Sequence, residues 1–328
     1  MTKCILHIGS GKTGTTTLQK TLASHRNILL ENGVLYPGDD INHHHLSLLA
    51  LPASILPRQY KTLAPEQLKK TREEFWRNLS RSLEKEKYHT VILSTEYLFT
   101  ASEYAVDKIE KLLQGYFNNI EIVASVRDPA EYYVSNCQQT LKANSKPPDP
   151  RTFQYHFLKT LKAWKKFKTR VYIYNRNPDF VQRLITAILP KNLYLNPISP
   201  ENASLTIEQL LLLEKIQKHL YTGKDDIFKP HLELINLIRP TNGSKPILKN
   251  SIRSLILKNH YRETIWLNHK LKDQNYLQPN HNRIEVSLPI TPTLQDIFVI
   301  KDQKSIEKYE MTIMDEALRT IHAIKKRS

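Results

Sequence analysis

Glycine is scarce in this chain, with 8 among 328 residues, and cysteine is scarcer, with Cys4 and Cys137 alone. One cysteine falls in a strand-like run and the other in a helix-like one, which excludes a disulfide scaffold and points to a reducing compartment. No apolar stretch approaches the ~20 residues of a membrane span. The apolar run Cys4–Ile8 ends at Gly9, too short for the core of a secretion signal. Together these absences lead to the expectation of a cytoplasmic protein. Zinc-finger spacings, an RRM signature and internal repeats are all missing. Acidic residues are outnumbered by basic ones, 32 to 48, for a net charge of +16. Such a balance suits an anionic cofactor, an anionic substrate or a negatively charged membrane face. The Lys and Arg residues are spread along the chain rather than gathered, which argues against specific nucleic-acid binding and leaves peripheral contact with an anionic membrane open.

Against that scarcity, Gly9, Gly11 and Gly14 fall within six residues of one another. The surrounding stretch is Cys4-Ile5-Leu6-His7-Ile8-Gly9-Ser10-Gly11-Lys12-Thr13-Gly14-Thr15-Thr16-Thr17-Leu18-Gln19. It reads as a strand, a turn and a helix whose apolar stripe begins at Leu18 and Leu22. Glycines let successive backbone N–H groups point at one place, and a helix start adds unpaired amides and the positive end of its dipole. A phosphate fits there. Lys12 supplies a full charge, and Thr13, Thr15, Thr16 and Thr17 supply hydroxyls. The loop is not a Walker A motif, because aligning Gly11-Lys12-Thr13 with its end puts Leu6 where the first glycine is required.

Gly11 through Thr16 resembles the 5′-phosphosulfate loop of the sulfotransferases, in which Pro or Gly, Lys, and Ser or Thr precede Gly-Thr-Thr. The continuation Leu18-Gln19 is similar to bacterial members in particular. The resemblance implies an α/β fold, a three-layer arrangement around a central parallel sheet of the P-loop NTPase-like sulfotransferase type. It implies 3′-phosphoadenosine 5′-phosphosulfate (PAPS) as donor, adenosine 3′,5′-bisphosphate as product, and no metal. The cofactor would be held by Gly11, Lys12, Thr13, Gly14, Thr15, Thr16 and Thr17, with Lys12 also acting at the leaving oxygen.

Further along, the helix begun at Thr15 is expected to run to about Glu31 and to stop at Asn32-Gly33. Val34-Leu35-Tyr36 is a short extended piece that breaks at Pro37. A polar loop then leads to His43-His44-His45. Consecutive side chains do not converge on one ion, so these histidines are a poor metal set. Their place after a Tyr-Pro segment is similar to bacterial sulfotransferases, which implies a catalytic or positioning role, with His44 the candidate. Pro65 to Glu86 is an amphipathic helix. Thr90 to Ser94 is a buried strand, and ligands of an open parallel sheet sit beyond the carboxyl ends of its strands. Glu96 is therefore placed where chemistry happens, and it is the first choice for a general base, with His44 second.

Ala105 to Tyr116 is a helix, Ile120 to Val126 a strand, and Arg127-Asp128-Pro129 a strand-to-helix turn. Arg127 and Ser135, eight residues apart, can face one anion from a strand end and a helix turn. In sulfotransferases an Arg and a Ser at that spacing grip the cofactor's 3′-phosphate. A loop from Lys142 to Arg151, a helix from Thr152 to Phe167 and a strand from Val171 to Tyr174 complete the alternation of strands and helices expected of a parallel sheet. Past Pro190 the pattern turns helical: helices are expected from Thr206, near Leu232 to Ile238, at Lys249 to Leu257 and at Ile306 to Lys325. Asn202 to Thr206 is similar to an Asn-x-Ser-Leu-Ser segment of bacterial sulfotransferases. The division expected is a PAPS-binding core over 1–200 and a mainly helical extension over 201–328 that shapes the acceptor site. The acceptor is expected to be a hydroxyl or amine, on a sugar or glycolipid. Two other readings stand beside this one: a P-loop kinase using ATP and Mg²⁺, and a non-catalytic basic protein that binds nucleotides or polyanions.

Overall fold

The computed structural model describes residues 2–49, 51–52, 56–175, 179–198, 204–220, 235, 240, 243–271, 277, 279–280 and 286–325. The helix expected near Leu232 to Ile238, apart from Ile235, and the Asn202-Ala203 part of the third motif lie outside the described residues. The chain divides into two compact units. The first comprises Met1–Asp128, His156–Pro200 and Arg262–Leu277, and the second comprises Pro129–Tyr155, Glu201–Tyr261 and Gln278–Ser328.

The first unit is an α/β structure built on a five-stranded parallel sheet of order β2-β3-β1-β4-β5. The strands are β1 (Lys3–His7), β2 (Val34–Leu35), β3 (Thr90–Ser94), β4 (Asn119–Arg127) and β5 (Lys168–Tyr174). Helices α1 (Thr15–Ser24), α2 (Arg26–Glu31), α3 (Arg58–Lys61), α4 (Pro65–Lys85) and α5 (Glu103–Gln114) lie between them, with 3₁₀ turns at His44–Leu49 and Glu96–Thr100. The single helix expected from Thr15 to Glu31 is two helices, broken at His25 (φ −107°). Gly33, at φ 66°, then turns the chain into β2, as Asn32-Gly33 foretold.

Both faces of this sheet are covered, as a parallel sheet requires. Cys4, Leu6, Val91, Leu93, Ile122 and Ala124 point one way and are all fully buried. Ile5, Ile92 and Val123 point the other way, into a core shared with Leu18, Leu22 and Leu29 of α1 and α2 and Phe180, Leu184 and Ile185 of a later helix. Register decides what else shares that second face. Lys3, Ile5 and His7 align with Thr90, Ile92 and Ser94, and Ile5 and His7 align with Glu121 and Val123. Side chains alternate faces along a strand. The face therefore runs from a charged end (Lys3, Glu121, Arg170), through an apolar middle, to a polar carboxyl end (His7, Ser94, Ser125, Arg127).

After β4 comes α6 (Pro129–Leu141), followed by α7 (Phe157–Ala163) and α8 (Asp179–Ile188) around β5. The helix expected from Thr152 begins only at Phe157, with His156 as its N-cap. The remaining helices among the described residues are α9 (Ile207–Leu220), α10 (Asn250–Asn259), α11 (Tyr261–Lys270), α12 (Leu294–Ile297) and α13 (Gln303–Lys325). In the second unit, Thr206 and Gln209 close a reciprocal cap on α9: the Thr206 hydroxyl accepts from Gln209 N–H at 3.3 Å, and the Gln209 amide oxygen accepts from Thr206 N–H at 2.9 Å. Both cysteines are buried free thiols whose pKa values burial pushes up, which makes them inert. No helix among the described residues is long and apolar enough to cross a membrane.

The charged end of the sheet generates a stability prediction. Glu121 is 2 % exposed, 2.5 Å from the Lys3 ammonium and paired with Arg170. Burial alone would raise its pKa, but Lys3 and Arg170 outweigh it and hold the carboxyl below its ordinary 4.5. A carboxylate held down in the folded state stabilises above its ordinary value, and that stabilisation is lost as pH falls through the depressed value. Glu121→Gln should therefore cost about 2 kcal/mol at neutral pH in urea unfolding, given that both cations remain partly solvated. The two proteins should converge in stability in strong acid; an undiminished gap there would contradict the assignment.

Candidate functional site

The glycine-rich segment starts as an extension of the sheet. Beyond β1, Ile8 N–H donates to Val123 O at 2.9 Å and Ser10 N–H to Ser125 O at 2.8 Å. Close packing accounts for Gly9, since a Cβ there would lie 2.2 Å from Ser125 Oγ and 2.7 Å from His7 Nε2. The chain then turns through two left-handed residues, Lys12 at φ 67° and Gly14 at φ 75°. Left-handed backbone is easy for Gly14 but costly for Lys12, and sparsely populated backbone of this kind clusters at ligand sites. Gly14 is the N-cap of α1 and provides no side-chain cap, and the first turn carries no acidic residue. The positive end of the helix is left uncompensated within the helix itself.

Within the loop the hydroxyls divide. Thr13 is fully buried; its hydroxyl donates to Ser10 O at 2.6 Å and so must accept from Ser125 Oγ–H at 2.8 Å. It latches the turn to β4. Thr15 is buried, Thr17 half-buried and Thr16 exposed, while Lys12 is exposed and Gly11 faces open space.

Arg127 closes β4 and is 5 % exposed. Its Nη1 donates to the carbonyl of Lys12 at 3.1 Å, and its guanidinium lies 5.0 Å from the Tyr174 ring centroid. The strand-end arginine is thus docked on the loop that carries Lys12. Ser135 lies in α6, in the second unit, and Arg127 in the first.

The second cluster forms beyond β3. Glu96 Oε1 is 3.6 Å from His44 Nε2, with 26 % and 11 % of the two side chains exposed, so both can be reached from solvent. Glu96 Oε2 accepts from Gln19 Nε2 at 3.1 Å, and His44 Nδ1 is 3.0 Å from Thr95 Oγ1. Burial lowers the His44 pKa, opposed by Glu96 and Asp40.

The three adjacent histidines have different surroundings. His43 is fully buried; its Nδ1 accepts from Ser94 N–H at 3.0 Å, so its Nε2–H donates to Pro37 O at 2.9 Å. Both ring nitrogens are engaged in holding the backbone, and burial first, with His45 second, drives its pKa to about 3. His45 packs on Phe75 with ring centroids 3.7 Å apart, and burial brings its pKa to about 4. Of the three, His44 is the one beside Glu96. Among the described residues no group of His, Cys, Asp and Glu side chains could hold a metal ion.

The expected residues thus meet in two places: Lys12, Thr13, Gly14 and Arg127 at the loop, and Glu96 with His44 at the end of β3. Residues the sequence reading did not assign join them: Gln19, Ser94, Ser125, His7 and Tyr174. For the strand residues the signal was parity, because His7, Ser94, Ser125, Arg127 and Tyr174 all occupy the face that α1 covers. The packing of the loop predicts that Gly9→Ala costs about 2 kcal/mol in chemical denaturation. Gly11→Ala, with open space around its Cβ, should cost under about 0.5 kcal/mol. Equal costs would mean that Gly9 is not set by Ser125 and His7.

No family model matches the chain, and no curated protein matches it. Among solved structures it is similar to a sulfotransferase from Alicyclobacillus acidocaldarius, at a TM-score of 0.37 and 13 % identity, over 62 % of this chain and 87 % of that one.

Proposed function

We propose that this chain transfers the sulfuryl group of PAPS to an acceptor hydroxyl or amine. The observation that carries this reading is the bond from Arg127 to the Lys12 carbonyl. It joins the residue suited to a 3′-phosphate to the loop suited to a 5′-phosphosulfate, and a 3′,5′-bisphosphorylated nucleotide has both groups. The loop fits such a ligand by its left-handed turn, its helix start without a side-chain cap and its exposed lysine. The kinase reading loses ground for a structural reason. Leu6, where a Walker A motif needs its first glycine, is fully buried within β1.

PAPS supplies a sulfur centre whose bond to the 5′-phosphate oxygen breaks as the acceptor oxygen or nitrogen attacks in line. The electron pair leaves on that phosphate oxygen, where the Lys12 ammonium offsets the growing charge. The acceptor proton passes to Glu96, and His44, 3.6 Å away, is the second candidate to receive it. The remaining work is positioning, as in phosphoryl transfer. Ser135 as a partner of Arg127, and a sugar or glycolipid hydroxyl as acceptor, belong to the same proposal. So does a cytoplasmic setting.

Adenosine 3′,5′-bisphosphate should raise the melting midpoint more than ATP with Mg²⁺ does, and removal of its 3′-phosphate should abolish most of the gain. Lys12→Gly keeps the carbonyl that Arg127 binds and relieves the left-handed side chain. Its stability should equal or exceed that of the parent, while bisphosphate affinity falls at least about tenfold. A preference for ATP, or full bisphosphate affinity in Lys12→Gly or Arg127→Ala, would overturn the reading.

A further inference from the structure

One side chain on the helix that follows the loop reaches the second cluster. Gln19 lies in the second turn of α1 and is 2 % exposed. Its Nε2 lies 3.1 Å from Glu96 Oε2 and 3.2 Å from Ser94 Oγ. An ionised carboxylate can only accept, so the atom facing Glu96 is the amide nitrogen and not the oxygen. Both of its protons then have acceptors. Ser94 Oγ accepts one of them and is itself hydrogen-bonded to His7 Nδ1, 2.9 Å away. His7 is fully buried and kept neutral by burial, with a pKa near 4, and its Nε2 is buried without a hydrogen-bond partner. The backbone of Ser94 is held as well: its N–H donates to His43 Nδ1, and its carbonyl accepts from His43 N–H at 2.8 Å.

We infer that Gln19 is the positioning residue for Glu96, fixing its carboxylate beside His44 from the same helix whose first turn opens on the glycine-rich loop. Thr15, where α1 begins, and Gln19 are four residues apart, one turn of helix. An anion that orders the start of α1 thereby also orders the residue that holds the carboxylate. The role of Glu96 as base rests on the sulfuryl-transfer reading; the hold by Gln19 does not.

The test uses the histidine ring as a reporter. Glu96, Asp40, His45 and Tyr97 are the titratable groups acting on or packed against His44. The titration of His44 is followed by NMR with labelled histidine in the full chain, its signal assigned from a His44→Gln spectrum. In Gln19→Met, which keeps length and loses the donors, Glu96 is released from His44, and the His44 pKa should fall by about half a unit or more. In Gln19→Glu, an added carboxylate beside Glu96 should raise it by about the same amount. Opposite shifts are not produced by a packing defect. In the parent protein, without any substitution, the Gln19 side-chain amide signals should follow the same titration as Glu96. An unmoved His44 in both variants, or Gln19 amide signals that ignore pH across the carboxylate range, would overturn the inference. Bisphosphate binding to the parent, measured alongside by calorimetry, separates the two claims. Shifted titrations without binding leave the hold standing and remove the sulfuryl-transfer reading, and binding with unmoved titrations does the reverse.

Discussion

Polar side chains at the end of a sheet covered on both faces must find partners, and that requirement organises the first unit. His7, Ser94, Ser125 and Thr13 are all without exposed surface, and of their side-chain polar atoms His7 Nε2 alone has no hydrogen-bond partner. An unpaired buried polar group costs about 1–3 kcal/mol, so the arrangement persists because the bonds interlock. Ser125 donates to Thr13 and thereby holds the loop, Ser94 joins His7 to Gln19, and Gln19 reaches Glu96. Arg127 completes the frame from β4 by donating to the Lys12 carbonyl. A turn that strains a lysine into left-handed backbone is held in place by these contacts rather than by its own preferences.

Much of this was legible in the residues because it follows local rules. The run Thr90-Val91-Ile92-Leu93-Ser94 is β3 to the residue, and Pro65 opens α4 as its place before an amphipathic stretch implied. The glycine-rich turn between β1 and α1 was readable from Gly, Lys and Thr alone. Other features depend on which chain segments become neighbours. Nothing in Gln19 or Ser94 marks them as partners 75 positions apart. Three histidines in a row could not be told apart by spacing, and it is their surroundings that make His43 a backbone staple, His45 a ring packed on Phe75 and His44 a neighbour of Glu96. The break at His25 and the late start of α7 at Phe157 went unread, since the stripe of Leu18, Leu22, Ile28 and Leu29 continues across the first and the apolar spacing runs through the second.

The two clusters have complementary chemistry. The loop gathers positive charge from Lys12, Arg127 and the start of α1, while the end of β3 presents a carboxylate, an imidazole and the Tyr97 ring, which packs 4.8 Å from His44. A reaction that separates a charged leaving group from a proton needs both kinds of surface. The net charge of +16 is much less specific than this local division. A basic surface draws any anion, whereas a carboxylate beside an imidazole is suited to the proton transfer proposed for Glu96 and His44.

The most direct measurement is the release of adenosine 3′,5′-bisphosphate from PAPS in the presence of a panel of sugar, glycolipid, phenol and amine acceptors, compared between the parent chain and Glu96→Gln. Sulfuryl transfer by this site requires acceptor-dependent release by the parent, and a loss of about a hundredfold or more in Glu96→Gln with bisphosphate affinity retained. No release with any acceptor, or equal release by the two proteins, would contradict it.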